Sequence, residues 1–107
     1  MLNHKITVYV PVIEPLKKTR EMGNYTAKIA TELAGLFGEC TVTKSNGYWV
    51  DDTGNLIEDK INLCYSFTDS KTLEANRLKV REICETMKEE LQQIEVSLEI
   101  DNILMFI

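Results

Sequence analysis

The sequence predicts an α+β fold, an antiparallel sheet with two helices on one of its faces. Three observations predict it. Stretches of period two, rich in β-branched and aromatic residues, recur along the 107 residues. Two stretches of helical period lie among them, one after the first strand pattern and one after the third. Turn signals rich in Gly, Asn and Asp separate the elements. The length suits one domain, residues 1–107, and is enough to bury a real core.

Ile6, Val8, Val10 and Val12 alternate with Lys5, Thr7, Tyr9 and Pro11, which predicts a half-buried first strand. Pro11 and Pro15 end it, because proline donates no ladder hydrogen bond. Residues 14–23 read as a loop holding the basic cluster Lys17, Lys18 and Arg20. Asn24 is a suitable cap for a helix over residues 24–37, where Tyr25, Ile29, Leu33, Leu36 and Phe37 share a face and Gly38 supplies the stop. Cys40 and Val42 alternate with Thr41 and Thr43 in a second strand. It resumes as Tyr48, Trp49 and Val50 after Ser45-Asn46-Gly47, an interruption that reads as a bulge.

Asp51 to Asn55 form a dense turn signal. Beyond it Ile61, Leu63, Tyr65 and Phe67 alternate with Lys60, Asn62, Cys64 and Ser66, so a hairpin is expected with the larger apolar set inward. Asp69 or Ser70 caps a second helix whose buried stripe is Leu73, Val80, Cys84, Met87 and Leu91, with Ile83 beside it. Ile94, Val96, Leu98 and Ile100 predict a fourth strand. Asp101-Asn102 make a tight turn, and residues 103–107 fold back as a short fifth strand. The order is that of the split βαβ, or ferredoxin-like, fold. Its open face should then show Lys5, Thr7, Tyr9, Thr41, Thr43, Lys60, Asn62, Cys64, Glu95 and Glu99. Such a polar face is either wet or packed on a second copy, so a homodimer is a reasonable expectation.

The net charge of −5 argues against broad phosphate binding, and direct nucleic-acid binding is not expected. No apolar run is long enough to cross a membrane, and no signal peptide is evident, which points to the cytoplasm. Cys40, Cys64 and Cys84 are odd in number and widely spaced, so neither a disulfide scaffold nor structural zinc is expected, and all three read as small hydrophobes. No glycine fingerprint for phosphate or dinucleotide occurs, and no cofactor is implied.

His4, the only histidine, sits at a frayed N-terminus and reads as exposed, leaving no catalytic set. Asp51, Asp52, Glu58 and Asp59 surround a hairpin tip. Their spacing suits a turn better than a cation site, and no metal is expected. Tyr48 and Trp49 should face opposite sides of a strand, one filling the core and one left as an interface anchor. Lys17, Lys18 and Arg20 give residues 1–22 a net charge of +2, while residues 51–60 and 94–107 each carry −3. An RNA-reading sheet is not expected, because the open face should lack paired aromatics and carries Glu95 and Glu99.

From Gly38 onward, Gly47-Tyr48-Trp49, Asp51 to Gly54, and Ile57-Glu58 resemble a widespread bacterial domain family without assigned chemistry. That resemblance implies a ferredoxin-like fold. The opening Lys5-Ile6-Thr7-Val8-Tyr9-Val10-Pro11 is similar to small plasmid and phage proteins, some of which inhibit host defence, RNA-guided nucleases included. The expectation is therefore a non-enzymatic module that acts on a protein partner, an inhibitor encoded by a mobile element. Its interaction candidates are Tyr48, Trp49, Asp51, Asp52, Glu58, Lys17, Lys18 and Arg20. Two alternatives stand beside it. One is a dimeric domain that binds or modestly transforms a small ligand on the open sheet face, marked by Tyr9, Asn62 and Cys64, with Glu95 and Glu99 on the same face. The other is a structural homo-oligomer subunit.

Overall fold

Alternation in the first strand sets the layering. In the computed structural model, which describes residues 1–13 and 25–107, β1 (His4–Pro11) buries Ile6, Val8 and Val10 completely on one side. β1 is the central strand of a five-stranded antiparallel sheet, pairing with β3 (Leu56–Thr68) on one edge and β4 (Ser97–Ile100) on the other. β2 (Thr41–Val50) lies outside β3, and β5 (Ile103–Phe106) lies outside β4. The order β2-β3-β1-β4-β5 is the ferredoxin-like arrangement with one strand added at the edge.

Helices α1 (Tyr25–Phe37) and α2 (Ser70–Glu90) cover the face that carries Ile6, Val8 and Val10. Their stripes follow the predicted periodicity. Ile29 and Leu33 from α1, and Leu73, Val80, Cys84 and Met87 from α2, are buried against the sheet, each large side chain contributing about 1.5–3 kcal/mol. Gly38 ends α1 at φ +93°, and its amide donates to the Ala34 carbonyl at 2.8 Å. The cap expected at Asn24 lies outside the described residues. Asp69 caps α2, its Oδ1 accepting the Thr72 amide at 2.7 Å. Among the described residues no helix is long and apolar enough to cross a membrane.

Three expectations change. β2 runs unbroken and in register with β3 from Thr41 to Val50, with no bulge. A Cβ at Gly47 would meet Ile61 Cδ1 at 3.2 Å, so the glycine makes room for a side chain on the neighbouring strand. β3 has the opposite phase to the one predicted. Val8 pairs with Cys64 and Val10 with Asn62, which puts Asn62, Cys64, Ser66 and Thr68 on the helix side. The polar members of that row find partners there. Asn62 Nδ2 donates to Thr26 Oγ1 at 2.9 Å, and Ser66 Oγ donates to the Glu39 carbonyl at 2.5 Å. Finally, β4 starts at Ser97, and Ile94, counted as core from the sequence, is 94% exposed.

Candidate functional site on the open sheet face

The reversed phase of β3 changes the chemistry of the uncovered face. Ile61, Leu63, Tyr65 and Phe67 stand there beside Lys5, Thr7, Tyr9, Thr41 and Thr43. Lys60, Asn62 and Cys64 do not. The face is therefore aromatic and apolar in its middle instead of uniformly polar. Tyr65 and Phe67 meet edge to face at 6.0 Å, and Lys5 Nζ sits 4.4 Å above the Tyr65 ring. The paired aromatics whose expected absence argued against an RNA-reading sheet are present. Glu99, paired across from Thr7, adds the negative charge that was expected there.

Towards the C-terminal end of β1 this face deepens into a cavity of about 340 Å³, with Tyr9, Asp59, Ile61, Glu95 and Ser97 in its wall. Tyr9 donates its hydroxyl to Glu99 Oε1 at 2.9 Å. Burial first, then the hydrogen bond and the charge of Glu99, raise the Tyr9 pKa, so the ring stays a phenol. Asp59 Oδ2 accepts the indole N–H of Trp49 at 2.9 Å. Tyr9 and Asp59 stand in the wall, and each is bonded to a partner outside it, Glu99 and Trp49, so one member of each of two aromatic–carboxylate pairs borders the hollow. Glu95 precedes β4 and reaches the cavity from the loop. Carboxylates beside aromatic rings suit a cation with apolar substituents, which gains from both and needs no hydrogen-bond donor.

Tyr48 and Trp49 do face opposite sides of β2, but neither fills the core: they are 59% and 52% exposed. Beyond Lys60 the β2–β3 hairpin has no third strand beside it among the described residues, so both side chains leave the helix-covered layer. Tyr48 donates to Glu58 Oε2, its direct cross-strand partner, at 2.9 Å, a third aromatic–carboxylate pair on the other side of the ribbon. That bond, more than the charge of Glu58, raises the Tyr48 pKa. Asp51 Oδ1 accepts from the Thr53 and Asn55 amides and the Thr53 hydroxyl, so its carboxylate is committed to the turn, beside exposed Asp52. Among the described residues no three His, Cys, Asp or Glu side chains come together as a metal could use them. Lys17, Lys18 and Arg20 lie outside the described residues.

The thiols are poor nucleophiles. Burial pushes Cys64 and Cys84 each up to about 12, and Cys40, half-buried, is raised by the same cause. His4 is not frayed. It opens β1 and is hydrogen-bonded on both ring nitrogens, to Asp101 and to Ser70. Sequence separations of 97 and 66 residues hide that grouping from any local motif.

No protein-family model matches the chain, and no curated protein matches it at a significant level. Solved structures do. A phage SAM lyase in complex with S-methyl-5'-thioadenosine is similar over 97% of this chain and 88% of its own, with a TM-score of 0.62 and 13% identity. A phage SAM lyase in its apo state is similar over 97% and 87%, with a TM-score of 0.64 and 16% identity. At that identity the likeness establishes the fold. It also overturns the expectation of a non-enzymatic contact inhibitor, because the solved chains that this one matches over almost its whole length are enzymes, phage SAM lyases.

Proposed function

We propose that this chain is an enzyme that cleaves a small sulfonium nucleoside of the SAM type, using the cavity on the open sheet face. The observation that carries the reading is the pair of carboxylate-bound aromatics, Tyr9–Glu99 and Trp49–Asp59, each with one member in the wall of one cavity, on a chain that matches a SAM lyase fold over almost its whole length. A sulfonium centre bears a positive charge on an atom bonded to three carbons. Aromatic faces and nearby carboxylates stabilise it, and the partly dry cavity strengthens that attraction.

Cleavage of one C–S bond leaves both electrons on sulfur, which becomes a neutral thioether. The departing carbon must receive an electron pair in exchange, either from an adjacent C–H bond or from the substrate's own carboxylate. In the first case a carboxylate base takes the proton, a role we assign to Glu99 through its bond to Tyr9 in the cavity wall. Tyr9, held as a phenol, fixes the Glu99 side chain and presents its ring to the cation. The phage source of both solved neighbours agrees with a mobile-element setting for this chain.

The test is to incubate the purified chain with SAM and follow S-methyl-5'-thioadenosine by chromatography and mass spectrometry. Turnover is expected, falling roughly a hundredfold in Glu99→Gln. Absence of product, together with no calorimetric binding of S-methyl-5'-thioadenosine at millimolar concentration, would overturn the reading.

A further inference from the structure

A second constellation lies at the opposite end of β1, five residues or roughly 17 Å along the strand from Tyr9. His4 Nδ1 is 2.9 Å from Asp101 Oδ2, and His4 Nε2 is 2.8 Å from Ser70 Oγ. A carboxylate can only accept, so Nδ1 carries the proton and Nε2 presents its lone pair to the Ser70 hydroxyl. This is the order carboxylate, imidazole, hydroxyl, with both links at hydrogen-bond length.

The support behind it is rigid. Asp101 occupies the left-handed region at φ +57° in the β4–β5 turn. Its amide donates to the Lys5 carbonyl at 2.7 Å, and its Oδ1 accepts the Lys5 amide at 3.0 Å, which leaves Oδ2 aimed at His4. The bond to His4, followed by the Lys5 amide, holds the Asp101 carboxyl below its ordinary range, so it is ionised. Ser70 is exposed on the first turn of α2. Asp69 takes the Thr72 amide with its side chain and the Leu73 amide with its carbonyl. The amides of Ser70 and Lys71 remain at the helix mouth, where negative charge is stabilised. A cleft of about 320 Å³ has His4, Asp101, Leu2 and Phe67 in its wall, and Ser70 lies outside that wall, joined to it through His4.

We propose that Ser70 is a nucleophile toward small activated acyl esters, with His4 as its base and Asp101 as the residue that positions His4. Ser70 Oγ bonds to the ester carbonyl carbon as its proton passes to His4 Nε2. The carbon–oxygen bond to the alcohol then breaks, and the leaving oxygen takes that proton. Water, deprotonated by His4, attacks the acyl-serine, releases the carboxylic acid and restores the Ser70 hydroxyl. The role of stabilising the oxygen that becomes negative falls to the helix-mouth amides. This activity is separate from sulfonium cleavage and shares no residue with it.

The experiment treats the full chain with a fluorophosphonate probe and maps the adduct by intact mass and peptide sequencing. A single adduct on Ser70 is expected, with the labelling rate reduced more than roughly a hundredfold in Ser70→Ala and His4→Gln. Asp101→Asn separates positioning from structure. Asparagine tolerates the left-handed backbone and its Oδ1 still accepts from Lys5, so the chain should stay folded with a modestly lower thermal midpoint from the lost carboxylate. Its amide group would force the His4 proton onto Nε2, however, and labelling should fall by a similar factor. An unlabelled wild-type chain, an adduct elsewhere, label retained in Ser70→Ala, or full labelling of Asp101→Asn would each overturn the proposal.

Discussion

Asp69 shows how much one carboxylate does at the start of α2. Its Oδ1 closes the first turn on the Thr72 amide, and that bond, followed by the Thr72 side chain, lowers its pKa from the ordinary 3.8. Asp101 is lowered in the same way by His4 and Lys5. A group whose folded-state pKa lies below its unfolded value binds protons more readily when unfolded. Its contribution is therefore complete above about pH 3.8 and is lost as pH falls through the folded-state value. Thermal melts from pH 7 down to pH 2 should show the midpoint falling mainly below pH 4. Asp69→Ala should lower the midpoint at neutral pH and reduce the acid slope. An unchanged slope in that variant would mean that the cap does not contribute to acid sensitivity.

Helices were the legible elements. α2 buries Leu73, Val80, Cys84, Met87 and Leu91, the stripe that a period of 3.6 picks out, because a helix between a sheet and water has one apolar side. β3 misled for the opposite reason. Both of its rows hold apolar residues, so the larger set, Ile61 to Phe67, was read as inward. Pairing with β1 decides otherwise. Val8 lies beside Cys64, and cross-strand partners share a face. Polar Asn62 and Ser66 are carried to the helix side, which is tolerable only because Thr26 and the Glu39 carbonyl satisfy them. No sequence pattern announces those partners. The candidate site suffered accordingly. Tyr9 and Glu99 were identified on the open face, but Asn62 and Cys64 were misassigned to it, and the aromatic pair Tyr65–Phe67 was missed. Thiol accessibility checks the phase directly. Native protein should react with a disulfide reagent at Cys40 at most, and at all three cysteines once denatured, since Cys64 and Cys84 have no exposed surface. Rapid native labelling of Cys64 would restore the phase read from the alternation.

At the scale of the molecule the sheet is supported unevenly. The described chain measures 45 × 31 × 21 Å. Residues 6–8 of β1 and 61–65 of β3 lie between neighbours on both edges, with two helices on one face of the sheet. Among the described residues, the strands over 47–50 and 56–59 pair only with each other, and Tyr48, Trp49, Val50 and Leu56 are all more than half exposed. A two-stranded ribbon without a packed face is marginal by itself. Its stability is inherited from the register in the sheet below, from the Asp51 turn, and from the cross-strand bonds Tyr48–Glu58 and Trp49–Asp59. Opening this end exposes little new apolar surface, so it should cost less than global unfolding. Native-state hydrogen exchange should find the β1 amides that face β3 exchanging at the global limit. Those of residues 47–50 and 56–59 should exchange through smaller openings. The cavity shares Asp59 with this ribbon, so ligand bound against Trp49–Asp59 should slow exchange there more than in β1. Uniform protection without ligand would contradict this picture and show that the ribbon is covered in solution. Selective protection of the ribbon by S-methyl-5'-thioadenosine would tie the cavity to the ligand of the similar lyase.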